Sequence, residues 1–286
     1  MQKIKNIQIL GTNQKPITLD IFFTENTKSS TIIYSHGFNG FKDWANFDLI
    51  AAQFVKAGFT FIKFNFSHNG TSPEYSEEFV DLEAYAQNNY STELTDLEKV
   101  IDWTLEENNP YKKAIDPDKL FLIGHSMGGG IVLVQASEDN RIKGVATWAS
   151  VGALKTPWTN WSEEKMKQWR EKGVEYIKNS RTNQDMPLNY QLYEDFENNK
   201  ERLDVENAVK KIHVPMLFCH GNKDEAVPVE TASLLASLNN NASVFILETD
   251  HVFGRKHPWT EAHLPDATQQ IVDKTIEFFQ QLRIKN

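Results

Sequence analysis

The stretch KLFLIGHSMGGGIVLVQAS, residues 119–137, sets the architecture of the chain. Its first half, KLFLIG, is a short continuous apolar run, the mark of a strand buried on both faces. Its last part reads as a helix that begins in glycines. Between them lies Gly124-His125-Ser126-Met127-Gly128, a G-x-S-x-G turn in its proper strand-to-helix setting. Such a turn forces the serine into a strained conformation that lifts its hydroxyl above the sheet. Only residues without side chains can pass close on either side. The helix behind Ser126 aims its N-terminus at the same point, where negative charge is favoured.

Working outward, the rest of the chain agrees with this unit. Residues 4–10 and 17–24 are β-rich and separated by GTNQKP, which predicts a hairpin. Strands are expected at 31–35, 59–66, 143–150, 214–221 and 243–248. Helices are expected at 44–57, 91–107, 204–211, 229–238 and 266–283, the clearest at 91–107 with Leu94, Leu97, Ile101 and Leu105 along one stripe. A hairpin followed by strand–helix alternation implies an α/β fold, a mostly parallel sheet with helices on both faces. Reactive residues in such sheets sit in the loops at the carboxyl ends of strands.

One stretch breaks the alternation. The connection between 143–150 and 214–221 is far longer than the usual two to six residues of an αβ loop. It carries helical patches at 161–178 and 188–198. The division that follows is a core of residues 1–153 and 204–286, with 154–203 as a helical cap or lid. Three of the seven tryptophans, Trp158, Trp161 and Trp169, fall in this insertion, as do Tyr176, Tyr190 and Tyr193. These rings can pack the insertion onto the body, or some can line a substrate pocket; Trp158, Trp161, Trp169 and Tyr190 are the candidate lining residues.

A reactive serine needs a base, and the base needs an orienting acid. Folds with this elbow order them Ser, then Asp or Glu, then His. After the strand at 214–219 comes His220-Gly221-Asn222-Lys223-Asp224-Glu225-Ala226-Val227-Pro228. Asp224 is preferred over Glu225 because its spacing sets the carboxylate ahead of the Val-Pro that starts the next helix. After the strand at 243–248 comes Thr249-Asp250-His251, which makes His251 the base, while Asp250 is read as satisfying backbone donors in its loop. His125 lies inside the elbow and is read as pointing away from Ser126. His257 and His263 flank prolines, as in surface turns. The oxyanion donors are expected to be the N–H of Met127, next to the nucleophile, and the N–H of Phe38 in the loop His36-Gly37-Phe38-Asn39-Gly40. No H-E-x-x-H pair exists and the single cysteine, Cys219, cannot build a thiolate site, so no metal is expected.

Composition excludes other classes. Hydrophobic residues make up 40% and charged residues 24%, an ordinary globular profile for 286 residues. The net charge of −9 argues against nucleic acid. With one cysteine there is no intrachain disulfide, which fits a reducing compartment. The N-terminus MQKIKNIQIL has no signal-peptide pattern, and no apolar run is long enough to span a membrane. These readings point to a cytoplasmic location.

HGFNG at 36–40, FNFSHNGTS at 64–72, GHSMGG at 124–129, HGNKDEAVP at 220–228 and DHVF at 250–253 together resemble the α/β-hydrolase superfamily. Within it, the chain is similar to small bacterial serine esterases with an inserted cap, the cinnamoyl and feruloyl esterases. Residues 64–72 are similar to the family's D-x-x-G-x-G-x-S turn, with Asn65 and Asn69 as departures that bear on loop bracing. The resemblance covers nearly the whole chain and implies hydrolysis of a small-molecule carboxylic ester without a cofactor. The superfamily also holds peptidases, thioesterases and C–C hydrolases, so it fixes mechanism better than substrate. A peptidase should carry acidic cap residues for a free amine; Glu163, Glu164, Glu175 and Glu194 read as solvated faces instead. A non-catalytic binding protein of this fold would ordinarily lack a triad member, and here all three are present. The sequence does not give the oligomeric state.

Overall fold

In the computed structural model, residues 1–179 and 181–284 are described. Ser180, inside the expected insertion, and Lys285 and Asn286, at the end of the expected core, lie outside the described residues. The strands are β1 (Gln2–Leu10), β2 (Pro16–Phe23), β3 (Ser29–Ser35), β4 (Thr60–Asn65), β5 (Ile115–His125), β6 (Ile142–Trp148), β7 (Val174–Lys178), β8 (Asp185–Asn189), β9 (Met216–Gly221) and β10 (Ala242–Leu247). The helices are α1 (Phe47–Lys56), α2 (Leu82–Ala86), α3 (Tyr90–Leu105), α4 (Met127–Glu138), α5 (Glu163–Lys172), α6 (Gln191–Asn198), α7 (Val205–Lys211), α8 (Glu230–Ser237) and α9 (Asp266–Ile284).

Among the described residues eight strands form one sheet in the order β1-β2-β4-β3-β5-β6-β9-β10. The β1–β2 and β2–β4 pairs are antiparallel and the remaining five are parallel. The chain therefore has the α/β-hydrolase fold that its sequence predicts. The central strands are apolar on both faces because both faces are covered. Phe54, Phe59, Phe121, Trp148 and Phe279 pack beneath α1 and α9 on one face. Leu97, Leu122, Ile131, Leu133 and Val209 pack with α3, α4 and α7 on the other.

Between β6 and α7 the chain makes a short helix at Trp158–Asn160, then α5, the antiparallel β7–β8 hairpin and α6. The helix expected over 161–178 is corrected here. It stops at Lys172, capped by Gly173 in the left-handed region at φ 74°. The next residues, VEYIK, have the β-branched and aromatic content of a strand and pair with 185–189. The helix expected at 188–198 likewise starts only at Gln191. No helix among the described residues is long and apolar enough to cross a membrane.

Candidate active site

β5 delivers Ser126 and α4 carries the chain away from it. Ser126 sits at φ 54° and ψ −119°, the strained backbone that the elbow requires. The turn is pinned by the Ser126 N–H, which donates to the Trp148 carbonyl at 2.9 Å, and by the Val151 N–H, which donates to the Ser126 carbonyl at 3.2 Å. A Cβ on Gly128 would lie 2.4 Å from the His36 carbonyl oxygen, so only glycine fits there. That close approach brings the 36–40 loop against the start of α4.

β9 and β10 lie side by side in parallel, with Gly221 opposite Leu247. Asp224 follows one strand and His251 the other, so sheet pairing brings them together. His251 Nδ1 lies 2.7 Å from Asp224 Oδ2. The other carboxylate oxygen, Oδ1, accepts from the N–H groups of Ala226 and Val227, both at 2.8 Å. His220 Nε2 is 3.2 Å from Oδ2 and 3.0 Å from the Val227 carbonyl. Burial pushes the Asp224 carboxyl up, but hydrogen bonds from His220, His251 and the Val227 N–H outweigh it and hold it well below the usual carboxylate range. An ionised carboxylate only accepts, so His251 Nδ1 carries the proton and Nε2 is left as the basic nitrogen.

Ser126 and His251 line one cavity of about 160 Å³, walled by Tyr34, Phe38, Trp44 and Phe47. The 36–40 loop separates it from a second, smaller cavity lined by Met127, Tyr85, Asn88, Glu93, Leu188 and Leu192. Of the expected oxyanion donors, Phe38 lines both cavities and Met127 lines the smaller one. Among the described residues no acceptor meets the N–H of either one. The 36–40 loop is braced from behind. Burial lowers the His36 imidazole to about 4, and its Nδ1 lies 2.9 Å from the Gly37 carbonyl. Asn65 accepts from the Lys42 N–H at 2.6 Å and donates to Thr71 Oγ1, and Asn69 accepts from Thr71. The two departures from the family's turn are thus both bracing groups.

Other expectations need correction. Trp158, Trp161, Trp169 and Tyr190 line neither cavity. They pack on one another, with ring centroids 5.2–5.7 Å apart for the Trp158–Trp169, Trp161–Trp169 and Trp169–Tyr190 pairs. The Trp169 indole N–H donates to the Leu188 carbonyl at 2.7 Å, and Trp169 is fully buried. Burying these large rings together stabilises the insertion itself. It contributes Thr156, Leu188 and Leu192 to the smaller cavity. His257 is no surface-turn residue: its half-buried ring stacks on Trp44 and its Nδ1 accepts from the Ala45 N–H at 2.8 Å.

Three supporting residues escape a reading from sequence. His125 lines the same cavity as Ser126. Its Nε2 lies 3.0 Å from the His251 carbonyl and its ring packs 5.0 Å from the His251 ring. Desolvation first, then the neighbouring His251 and Arg255, pushes its pKa well down. Arg255 is buried among Trp44, Phe47 and Trp148 and donates from Nε to the Val252 carbonyl at 2.7 Å, which fixes the loop that bears His251. His220 stands four residues before Asp224, and that spacing inside HGNKD is the signal the sequence offers for it.

Asp20, Asp43 and Asp48 bring carboxylate oxygens close enough together to hold a cation. The buried ammonium groups of Lys42 and Lys63 already fill that role. Lys42 reaches Asp20 at 2.8 Å, and Lys63 reaches Asp20 at 3.2 Å and Asp48 at 2.7 Å. The cluster is an ion-pair network, and its chemistry suits charge balance better than metal binding.

The profile of the prolyl oligopeptidase family matches residues 45–283. The chain belongs to this family. It is a serine-hydrolase-type α/β-hydrolase family, and the prolyl oligopeptidase match spans the elbow, Asp224 and His251. No curated protein matches the chain significantly. Among solved structures, Est1E from Butyrivibrio proteoclasticus is similar over 98% of this chain and 100% of its own, with 16% identity and a TM-score of 0.70. An esterase domain from a Rhodothermus marinus protein is similar over 98% and 99%, with 17% identity and a TM-score of 0.64. A dienelactone hydrolase from Anabaena variabilis is similar over 98% and 97%, with 14% identity and a TM-score of 0.64. At these identities the likeness is one of fold.

Proposed function

We propose that this member of the prolyl oligopeptidase family is a serine esterase that cleaves small carboxylic esters through an acyl-enzyme. The observation that carries the reading is the 2.7 Å contact between His251 Nδ1 and the ionised Asp224, with His251 and Ser126 on the wall of one cavity. His251 Nε2 takes the proton of Ser126 as Oγ attacks the ester carbonyl carbon. The carbonyl π electrons move onto oxygen, where the N–H groups of Phe38 and Met127 receive the charge. Asp224 stabilises the imidazolium. The tetrahedral intermediate collapses, the ester C–O bond breaks, and His251 gives its proton to the leaving alkoxide. Water, deprotonated by His251, then attacks the acyl-serine and releases the carboxylic acid, and Ser126 regains its proton. General base action contributes on the order of 10²–10⁴-fold and an oxyanion donor about 10²–10³-fold.

The stretch 154–203 is proposed as the cap, since Leu188 and Leu192 wall the smaller cavity beside the elbow. A cytoplasmic location and independence of nucleic acid and membrane partners belong to the same reading. Peptide or amide cleavage is the second reading, favoured by the family's name. The Est1E structure with bound ferulic acid, 16% identical with a TM-score of 0.71, supports the ester reading.

Two measurements test the proposal. Ser126→Ala is expected to abolish turnover, a loss of at least about 10⁴-fold, with an unchanged melting curve. A panel of p-nitrophenyl esters, aminoacyl amides and acyl-CoA thioesters should give its highest kcat/KM on esters. A folded Ser126→Ala enzyme that still turns over ends the assignment, and a preference for amides moves it to the peptidases.

A further inference from the structure

The smaller cavity holds a polar arrangement that the serine chemistry does not use. Glu93, near the start of α3, is 1% exposed, and its Oε1 accepts from Asn88 Nδ2 at 2.8 Å. Among the described residues its Oε2 meets no partner, and neither does Asn88 Oδ1, although both residues line the cavity. Several neighbouring polar groups are occupied. The Tyr85 hydroxyl donates to Asn39, the Tyr90 hydroxyl donates to the Thr156 carbonyl at 2.8 Å, and Asn89 bonds Gln191 and the Thr92 N–H. A buried polar atom left unpaired is costly, so two of them on residues that line one space call for a ligand group.

We infer that Glu93 and Asn88 form a subsite that binds a hydroxyl on the acyl arm of the substrate, an inference that rests on the esterase reading. The assignment to the acyl arm follows from the chemistry. His251 must protonate the leaving alcohol, so the alcohol lies in the cavity that His251 lines. The acyl arm is left with the cavity on the Met127 side. Burial pushes the Glu93 carboxyl up to about 8; the Asn88 hydrogen bond opposes this and the charge of Asp96 adds to it. With Oε1 accepting from Asn88, the acid proton sits on Oε2 as a free donor, and Asn88 Oδ1 is a free acceptor beside it. A hydroxyl accepts from one and donates to the other. An ammonium binds there only where the Glu93 carboxyl gives up its proton to form an ion pair, which the amine ester in the test reports. The open space is about 20 Å³, room for about one water-sized group, which suits a hydroxyl.

The test compares kcat/KM for methyl esters of short straight-chain acids that carry a hydroxyl, an amine or neither at successive carbons. It uses the wild type, Glu93→Leu, Glu93→Gln and Asn88→Ala. At one chain position the hydroxy ester should exceed its deoxy partner by at least about 10-fold. Glu93→Gln, which still offers a donor and an acceptor, should keep most of that ratio, while Glu93→Leu and Asn88→Ala bring it near unity. Where Glu93→Leu does not fold, Asn88→Ala carries the decision. The subsite is overturned by a wild type that shows no hydroxyl preference at any position, by a preference for the amine, or by a preference that a folded Glu93→Leu or Asn88→Ala retains. If plain esters are cleaved without discrimination, the subsite alone fails. If no ester is cleaved, the esterase reading fails and the subsite goes with it.

Discussion

Asp224 and Glu93 are two carboxyl groups withdrawn from solvent around the same serine, and their surroundings drive them to opposite states. Asp224 stands where two strand ends meet, and four groups point hydrogens at it: two backbone amides and two imidazoles. Glu93 stands inside a helix packed against the body and receives one amide hydrogen. Desolvation acts on both, so the difference lies in the number of donors. A carboxylate ringed by donors holds an imidazole in place, while a carboxylic acid short of partners has a hydrogen-bond donor to offer to something that arrives.

The largest test of this contrast is Asp224→Asn. It keeps the shape and removes the charge that fixes the His251 tautomer, so kcat should fall on the order of 10⁴-fold with folding intact, read by ester turnover and thermal melting. A loss below about 10-fold would mean that the charge does not organise the base. Lys63→Met extends the comparison to carboxylates balanced by full cations. It strips a buried ammonium from Asp20, Asp43 and Asp48, and urea unfolding should show a loss of about 3–5 kcal/mol.

A smaller effect separates Asp224 and Glu93 along one pH axis. The Glu93 carboxyl is raised from its ordinary 4.5 to about 8, so its burial stabilises the fold fully below the ordinary value, and this is lost as pH climbs toward 8. The Asp224 carboxyl is lowered, so its contribution is present above the ordinary carboxylate range and is lost as pH falls below it. Glu93→Gln should therefore gain on the wild type by up to a few kcal/mol between pH 5 and 8 and by nothing further above that, followed by urea unfolding across pH. A flat difference would show that Glu93 is ionised in the fold. The smallest effect belongs to solvent. Arg202 grips Glu138 through two nitrogens at 2.8–3.1 Å, but both side chains are over a third exposed, and Arg202→Ala should cost less than about 1 kcal/mol.

The same division between local and distant causes governs what the sequence reveals. The elbow, Asp224 and His251 are legible because each follows a recognisable strand and takes its geometry from a few neighbouring residues. The sheet is legible for a similar reason: parallel strands buried on both faces are short apolar runs. Glu93 reads as one more polar residue on an amphipathic helix, because its burial is set by packing against elements far away in the chain. The tryptophans of 154–203 mislead for the same reason: an aromatic set in an inserted segment is equally compatible with a pocket and with a private core, and only coordinates place Trp169 at the centre of the latter. The helix expected over 161–178 ends early because Gly173 stops it, and VEYIK has strand-forming residues whose partner, 185–189, comes later in the chain.

Gly221 touches no substrate and carries no charge, yet it sits where a Cβ would come within 2.3 Å of the Thr249 carbonyl and 2.8 Å of the Asp250 carbonyl. The bare α-carbon lets the two strand ends nest, and the spacing between acid and base is set by that nesting. A methyl group there would act as a wedge, spreading the loops on which Asp224 and His251 ride. The position is therefore closed to larger residues for a reason that no inspection of the polar atoms would disclose: the spacing of Asp224 and His251 depends on a hydrogen atom two strands away from the serine.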